Sequence, residues 1–196
     1  MNEGAARFAA RYPVVWHVIE ADGAGDWLVE TGLMPTAELM RMAGIIDDGA
    51  NRNDFRTLSL GRGRIAVIRP QLMPDDRLRP TLDGPFRDLP NTWRRHINSH
   101  VFFWADPRRR DAFLRACQRF RPSAATPVVL EFDTASLLAG HAACAFWSRI
   151  NTGSTVRGGA RTRRNENTLQ SVRSYRSGPV AELAVRGQVT VTRNRP

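Results

Sequence analysis

Two side chains that could do chemistry stand inside segments that are otherwise apolar. His17 lies in the segment YPVVWHVIE, and Glu182 lies in the segment VAELAV. Both segments are typical of strands, in which successive side chains point to opposite faces. A carboxylate in the middle of an apolar strand needs a partner or a ligand, because burying its charge unpaired is costly. The two residues are therefore the first candidates for binding or catalysis.

Each of them also has a purely structural explanation. A lone histidine in an apolar strand is commonly a core residue bonded to the backbone, and His17 taken alone fits that description better. Glu182 taken alone is better explained by a pair with an arginine, or by an edge strand that faces water. Only further motifs can favour a functional interpretation of either residue.

The sequence lacks the signatures of several common enzyme classes. It has no GxSxG motif, no Walker loop, no GxGxxG after a strand and no paired-cysteine metal motif. Cys117 and Cys144 do not form a CxxC pair, which argues against a disulfide framework and fits a reducing cytosol. No metal site is expected from the four histidines, which lack metal-ligand spacing: His17, His96, His100 and His141.

The composition predicts a single domain. The chain has 196 residues, of which 42% are hydrophobic, enough for one sizeable core. No apolar stretch is long enough for a membrane span, and residues 1–11 lack the apolar region of a signal peptide. We expect one domain over residues 1–196, with residues 1–11 as an N-terminal extension, residues 193–196 as a tail, and a cytoplasmic location.

The chain carries a net charge of +10, and all of its basic residues are arginine. An excess of arginine favours partners that bear phosphates, such as NAD, DNA or RNA. Solvated surface arginines explain the same charge equally well, and the absence of lysine also fits a GC-rich genome. The charge alone therefore does not distinguish a phosphate-bearing partner from a solvated arginine surface.

The candidate residues are expected on strands of a mixed fold. Apolar and β-branched runs predict strands over 12–20, 65–68, 100–104, 127–133, 143–150, 180–185 and 189–192. Capping residues and apolar spacing predict helices over 22–32, after 36, after 106 and from 133 or 134, and a helical turn is predicted at 92–98. Polar or proline-rich composition predicts loops over 47–64, 72–91 and 151–167. Because strands outnumber long helices and do not alternate regularly with them, the predicted fold class is α+β.

Five short motifs together resemble an uncharacterised bacterial domain family. The motifs are AVIRPQ, INSHVFFW, LEFDT, INTG and VAELAV, and the resemblance extends over roughly residues 12–189. These motifs are specific, but the resemblance implies no known function.

A second resemblance, which rests on fewer residues, is to ADP-ribosyltransferases of the diphtheria-toxin-like type. The shared order is a strand with His17, a short helix ending at Gly32-Leu33, an aromatic strand and a late strand with Glu182. The segment WHVIEADGAGDWLVETGLMP looks like the opening of that fold. The segment VAELAVRGQV resembles the glutamate strand of the DarT-type DNA ADP-ribosyltransferases. The resemblance implies a split β-sheet core with flanking helices.

The resemblance also implies roles for individual residues around NAD, which would be the substrate. Glu182 would bond the nicotinamide ribose and stabilise the positive charge that develops as the glycosidic bond breaks. His17 would bond the adenosine ribose, and an aromatic residue of 102–104 would stack on nicotinamide. Arg69, or less favourably Arg56, would hold phosphate. The other residues assigned to NAD binding are Gly32, Gln71, Asn98, Phe103 and Trp104.

The sequence departs from the family pattern in three places. The stacking tyrosine is not evident, so phenylalanine or tryptophan must replace it. Val180 stands two residues before Glu182, where enzymes that modify protein arginine carry a second acidic or amide group. No STS motif stands where the cholera-toxin-like branch carries one. A protein-arginine target is therefore disfavoured.

Arginines precede the glutamate strand, in the segment that often meets the acceptor in this fold type. The four assigned to acceptor binding are Arg161, Arg163, Arg164 and Arg173. A basic segment attracts a polyanion such as DNA or RNA. A base acceptor would be single-stranded, because its reactive atoms are hidden in a duplex. A solvated loop explains the same arginines as well.

Three functions stay open on the sequence. The first is an NAD-dependent transferase of ADP-ribose, acting on nucleic acid as a toxin or defence effector, whether or not an antitoxin accompanies it. The second is a non-enzymatic module that binds nucleic acid on the same fold. The third is an NAD glycohydrolase, in which water replaces the acceptor. NAD binding separates the second from the other two, and transfer of label separates the first from the third.

Overall fold

A six-stranded antiparallel sheet carries the candidate residues. The computed structural model describes residues 1–20, 27–120, 127–155 and 162–191. The strands are β1 (Val14–Ile19), β2 (Arg56–Ser59), β3 (Ile65–Ile68), β4 (His100–Trp104), β5 (Val128–Asp133), β6 (Ala145–Ser148), β7 (Gln170–Ser171) and β8 (Glu182–Arg186). Six of them form one sheet in the order β5-β1-β4-β8-β6-β7, and β2 pairs with β3 in a second sheet.

Helices connect and cover these strands. The α-helices are α1 (Glu3–Arg11), α2 (Trp27–Thr31), α3 (Thr36–Met42), α4 (Asp75–Leu78), α5 (Pro90–Asn98), α6 (Pro107–Phe120) and α7 (Thr134–His141). Short 3-10 turns lie at Arg79–Thr81, Gly84–Phe86 and Val172–Ser174. Helices and antiparallel strands without regular βαβ alternation confirm the α+β class.

Local sequence explains where several helices begin. The side chain of Asn2 caps α1 by accepting a hydrogen bond from the amide of Ala5 at 3.1 Å. Asp133 caps α7 in the same way, through the amide of Ser136 at 2.7 Å. Pro90 stands in the first turn of α5, where a missing amide hydrogen leaves no bond unmade.

The two faces of the six-stranded sheet have different neighbours. Val15, Phe103 and Leu183 belong to the main core, together with Phe8 of α1 and Leu138 of α7. Side chains alternate along each strand, so the neighbouring positions point to the opposite face. There α6 covers the sheet, with the ring of Phe113 centred 5.3 Å from that of Trp104.

Several segments differ from the sequence-based expectation. The predicted loop over 47–64 contains β2, which pairs with β3 from Arg56–Ile68 to Ser59–Ile65. Within β2 only Leu58 is buried, so the strand lacks the apolar run that signals a strand. Residues 189–191 form no strand, and Val189 makes only an isolated bridge with Leu33.

Other boundaries also differ from the prediction. The residues expected as an N-terminal extension form α1, whose Phe8 is fully buried in the main core. The turn expected at 92–98 is a helix that begins at Pro90. The irregular stretch 72–91 contains α4 and two 3-10 turns. The predicted helix start at Asp22 and the tail 193–196 lie outside the described residues.

Gly32 ends α2 in a conformation that only glycine adopts without strain. Its φ angle is +76°, and a Cβ atom there would lie 2.3 Å from the carbonyl oxygen of Val189. The same carbonyl accepts a hydrogen bond from the amide of Leu33 at 2.7 Å. Gly32 therefore lets α2 end against the chain that follows β8.

We expect Gly32→Ala to lower the free energy of unfolding by about 2 kcal/mol or more, from left-handed strain plus the clash. Gly44→Ala is the matched control, since its φ is +72° and a Cβ atom added there would meet no other atom within 4 Å. That control should cost only the strain, about 1 kcal/mol. Urea unfolding of both variants measures the difference, and equal losses would contradict the role of the contact with Val189.

Candidate functional site

Glu182 lies in a row of five side chains that crosses the sheet, and the row begins at the exposed Glu131 of β5, which pairs with Trp16 and accepts a hydrogen bond from its indole at 3.1 Å. Trp16 of β1 pairs with Trp104 of β4, Trp104 pairs with Glu182 of β8, and Glu182 pairs with Ser148 of β6. Directly paired residues of antiparallel strands point to the same face. The two tryptophans are half-buried, whereas Glu182 and Ser148 are buried. The strand register therefore places aromatic rings beside a buried carboxylate.

Thr152 holds this carboxylate from the loop after β6. Glu182 is only 5% exposed, and its Oε2 accepts hydrogen bonds from the Thr152 amide at 3.0 Å and the Thr152 hydroxyl at 2.9 Å. Burial raises the pKa of Glu182 from 4.5 to about 7, although the two Thr152 bonds act in the opposite direction. Near neutral pH the carboxylate is therefore balanced between its charged and neutral forms.

Two arginines add positive charge around Glu182. Arg109 of α6 and Arg164 both favour the ionised carboxylate and so lower its pKa against the effect of burial. The side chain of Arg109 is about half exposed, whereas Arg164 is buried. A buried carboxylate with a perturbed pKa and nearby cations is the arrangement in which catalytic carboxylates are often found.

A cavity opens between β1 and β4 beside this row. The two strands pair at Trp16 and Trp104, and towards Ile19 and His100 they line a cavity of about 200 Å³. The remaining walls come from α2, α3, β3 and the chain around Leu33. Pockets for drug-sized ligands measure roughly 300–1,000 Å³, so this cavity suits one part of a dinucleotide. We refer to it as the fork cavity.

His17 lines the fork cavity in a fixed tautomer. Its Nδ1 lies 2.7 Å from the carbonyl oxygen of Phe102, and a carbonyl can only accept, so Nδ1 carries the hydrogen. Burial lowers the pKa of His17 to about 4, which keeps the ring neutral at pH 7. Nε2 then has a lone pair and can accept a hydrogen bond from a ligand hydroxyl.

Arg69 lines the same cavity and is held by two acceptors. Its Nε donates to Glu20 Oε1 at 2.6 Å, and its Nη1 donates to the carbonyl of Val18 at 2.7 Å. Its guanidinium carbon lies 5.0 Å from the centre of the Phe113 ring. Glu20 neutralises part of this charge, so Arg69 offers a phosphate an oriented donor rather than a full free cation.

Gln71 and Asn98 lie together, but in a buried network that does not line the fork cavity. Gln71 Nε2 donates to Asn98 Oδ1 at 3.0 Å, and Arg52 Nη2 donates to the same oxygen at 3.3 Å. Asn98 Nδ2 donates to Asp47 Oδ2 at 3.0 Å. The network joins α5 to the chain before β2, which gives both residues a structural role.

The aromatic strand divides its residues between the two faces. Phe103 is fully buried in the main core, 5.6 Å from the His17 ring, and does not line the fork cavity. Phe102 does line the cavity, and Trp104 lies in the row with Glu182. Gly32 does not line the cavity, and its close approach to the Val189 backbone gives it a structural role.

The four arginines expected at the acceptor separate in the structure. Arg163 and Arg173 are exposed, and Arg161 lies outside the described residues. Arg164 is only 1% exposed, and its guanidinium donates to the carbonyls of Thr162 and Ser154, both at 2.9 Å. Because these bonds stay within the protein, Arg164 fixes a loop instead of presenting charge to a partner.

Sequence reasoning missed several residues around the site. Thr152 stands in the INTG motif but carries no signal of its own, because its role depends on the loop reaching Glu182. Trp16 could have been found as the strand neighbour of His17. Arg109 and Arg110 belong to the run PRRRD at the start of α6, where Arg110 lies over the Trp16 ring at 4.6 Å.

The described part of the chain holds neither a metal-type cluster nor a membrane-type helix. No group of three or more histidine, cysteine, aspartate or glutamate residues there could hold a metal ion. No helix among the same residues is long and apolar enough to cross a bilayer.

Comparison with known proteins gives a match to a protein family. The model of a family described as a family of unknown function (DUF7002) matches residues 13–194. No curated protein and no solved structure matches the chain. The match spans most of the chain, in agreement with the resemblance of its motifs to one domain family.

Proposed function

The chain belongs to DUF7002, a family of unknown function, and we propose that it is an NAD-dependent ADP-ribosyltransferase in which Glu182 is the catalytic carboxylate. The observation that carries the proposal is the row in which the buried Glu182 lies beside Trp104, one strand away from Trp16. Such a row offers a ring surface for nicotinamide and a negative charge for the ribose attached to it.

Glu182 supplies what cleavage of the glycosidic bond requires. Breaking the bond between ribose and nicotinamide leaves a ribose with oxocarbenium-like positive charge, which a fixed carboxylate stabilises. Both Thr152 bonds go to Oε2, which leaves Oε1 for a ribose hydroxyl. Trp104 lies directly opposite on the neighbouring strand, where its ring can stack on the leaving nicotinamide.

The fork cavity accounts for the other half of NAD. Its volume of about 200 Å³ fits the adenosine end rather than the whole dinucleotide. His17 Nε2 accepts from a ribose hydroxyl, and Arg69 donates to the pyrophosphate. β1 and β4 separate beyond the Trp16–Trp104 pair, and Arg69 of the cavity lies over Phe113, which packs on Trp104. The dinucleotide would therefore pass through the gap between the two strands, from the His17 face of the sheet to the Glu182 face.

A nucleic-acid acceptor is the substrate class that the charge favours. The net charge is +10, and Arg163 and Arg173 are exposed on the segment before β8. The same charge supports the second candidate, a module that binds nucleic acid without catalysis. An NAD glycohydrolase would use the same Glu182 with water as acceptor.

Incubation with NAD labelled in the adenylate moiety, together with single-stranded DNA, RNA or mixed protein, tests the proposal. Free nicotinamide and labelled macromolecule are scored together, in the wild type and in Glu182→Gln. Label on one acceptor that is lost in the variant supports the transferase. Nicotinamide release without label indicates the glycohydrolase. Neither release nor NAD binding, with salt-sensitive binding of DNA, overturns the enzyme and favours the binding module.

His17→Ala is expected to weaken NAD binding by about tenfold, because one hydrogen bond to the ribose is worth about 1.4 kcal/mol. Calorimetric titration in a Glu182→Gln background measures affinity without turnover. His141→Ala is the matched control, since His141 ends α7 and does not line the fork cavity. Unchanged affinity in a folded His17→Ala protein would return His17 to a purely structural role.

A further inference from the structure

We propose that Thr152 is a positioning residue that fixes and ionises the Glu182 carboxylate, an inference that rests on the proposed catalytic role of Glu182. Thr152 is fully buried and gives both its amide and its hydroxyl hydrogen to the same oxygen, Oε2. Two donors on one oxygen hold that oxygen in place and favour the charged form of the carboxylate. The other oxygen, Oε1, is then left for substrate.

The loop that carries Thr152 is itself anchored. The Thr155 amide and hydroxyl both donate to the carbonyl of Leu72, each at 3.3 Å. Arg164 Nη2 donates to the carbonyl of Ser154 at 2.9 Å, and the Arg164 amide donates to the carbonyl of Thr81 at 2.8 Å. The chain on the C-terminal side of Thr152 is therefore tied to the 72–83 segment. These ties allow Thr152 to act as a fixed donor rather than as part of a loose loop.

The effect of the Thr152 hydrogen bonds can be measured as a change in the protonation equilibrium of Glu182. The charged groups that act on Glu182 are Arg109 from α6 and Arg164 from the segment before β7, and both favour ionisation. Its paired neighbours on β4 and β6, Trp104 and Ser148, carry no charge. Burial opposes ionisation, so removal of one donor moves the proton equilibrium directly.

Thr152→Val removes the hydroxyl donor and keeps the amide donor and the shape of the side chain. We expect it to raise the titration midpoint of Glu182 by about one pH unit, since a hydrogen bond to a charged group has that magnitude. Thr152→Ser, which restores a hydroxyl, should return the midpoint towards that of the wild type. Thr168→Val is the control, because its hydroxyl accepts from the Asn165 amide at 2.9 Å and has no bond to Glu182.

The midpoint is read by carbon NMR of protein labelled at the glutamate carboxyl carbons. The Glu182 signal is the one missing from Glu182→Gln. Thr152→Ala replaces Thr152→Val if valine is not tolerated. A midpoint that rises in Thr152→Val and returns in Thr152→Ser supports the positioning role. An unchanged midpoint in the folded valine or alanine variant overturns it.

Activity separates this inference from the function on which it rests. If the proposed function is correct, Thr152→Val moves the acid limb of the kcat profile upward by the same pH shift and leaves KM for NAD unchanged. A midpoint that shifts in a protein without NAD turnover under any condition overturns the enzyme and leaves the Thr152–Glu182 interaction in place. The positioning role is overturned if Thr152→Val is active and shifts the titration midpoint of Glu182 but leaves the pH profile of kcat unchanged.

Discussion

Replacing Glu182 with glutamine is expected to lower the rate of nicotinamide release by at least about 10²–10³-fold while NAD still binds. Glutamine keeps the shape of the side chain and can accept the hydrogen bonds from Thr152. It cannot supply the negative charge that stabilises an oxocarbenium-like ribose. The loss should therefore fall on kcat, and the affinity for NAD measured by calorimetry should change by less than about threefold.

Glu166→Gln is the matched control for that substitution. Glu166 is exposed, lies in the segment before β8 and undergoes the same loss of one charge. It should keep the activity of the wild type. Full activity in Glu182→Gln, with the control also active, would show that the carboxylate has no part in the chemistry. Loss of NAD binding together with activity would instead place Glu182 in ground-state binding.

The strands that carry the candidate residues are predictable from their own sequence. Apolar and β-branched runs predict strands over 12–20, 100–104 and 127–133, and the structure has Val14–Ile19, His100–Trp104 and Val128–Asp133. In these segments the local pattern and the tertiary environment favour the same conformation. The strand β2 is not predictable in this way, because three of its four residues are exposed and its pairing with β3 supplies the order.

The composition of the site depends on strand order and register, which the local pattern does not contain. The row from Glu131 to Ser148 exists because β5, β1, β4, β8 and β6 are neighbours in a particular register. A shift of one residue in any pairing would turn a side chain to the other face. The similarity of motifs indicated His17 and Glu182 as site residues. It could not show that β4 lies between their strands, or that the two side chains point to opposite faces of the sheet.

Burial also explains why some residues that the sequence assigned to binding have a structural role instead. Arg164 belongs to a polar, arginine-rich segment, and nothing in such a segment distinguishes a solvated arginine from a buried one. Its guanidinium meets several acceptors from Thr81, Ser154 and Thr162, and this set forms only when distant segments meet. Gln71 and Asn98 likewise find each other across the chain and become a network.

The raised pKa of Glu182 should also be visible in the pH dependence of the free energy of unfolding. The folded-state pKa of Glu182 is about 7, against an ordinary value of 4.5. A raised pKa means that the folded state binds the proton more tightly, so its contribution to stability is fully present below pH 4.5. That contribution is lost as the pH rises through about 7. The interval between the two values corresponds to about 3 kcal/mol.

Glu182→Gln should therefore be more stable than the wild type at about pH 8 by up to about 3 kcal/mol, and nearly equal to it at about pH 4.5. Urea unfolding of both proteins at each pH measures the difference. The comparison is necessary because His17 and His100 have pKa values lowered to about 4 and lose stability as the pH falls, the opposite trend. Subtracting the two profiles removes the histidines, which both proteins share.

A difference that stays constant from about pH 4.5 to about pH 8 would contradict the raised pKa. If the stability advantage of Glu182→Gln over the wild type grows with pH, the charged carboxylate of Glu182 destabilises the fold. Glutamine could then replace it in the folded state without loss of stability. A residue that lowers stability in this way and lies beside aromatic rings in a strand register is best explained by a role in binding or chemistry. A structural carboxylate would stabilise the fold when it is charged. A Glu182→Gln variant that gains stability at high pH and loses turnover would therefore identify Glu182 as a catalytic residue and not a structural one.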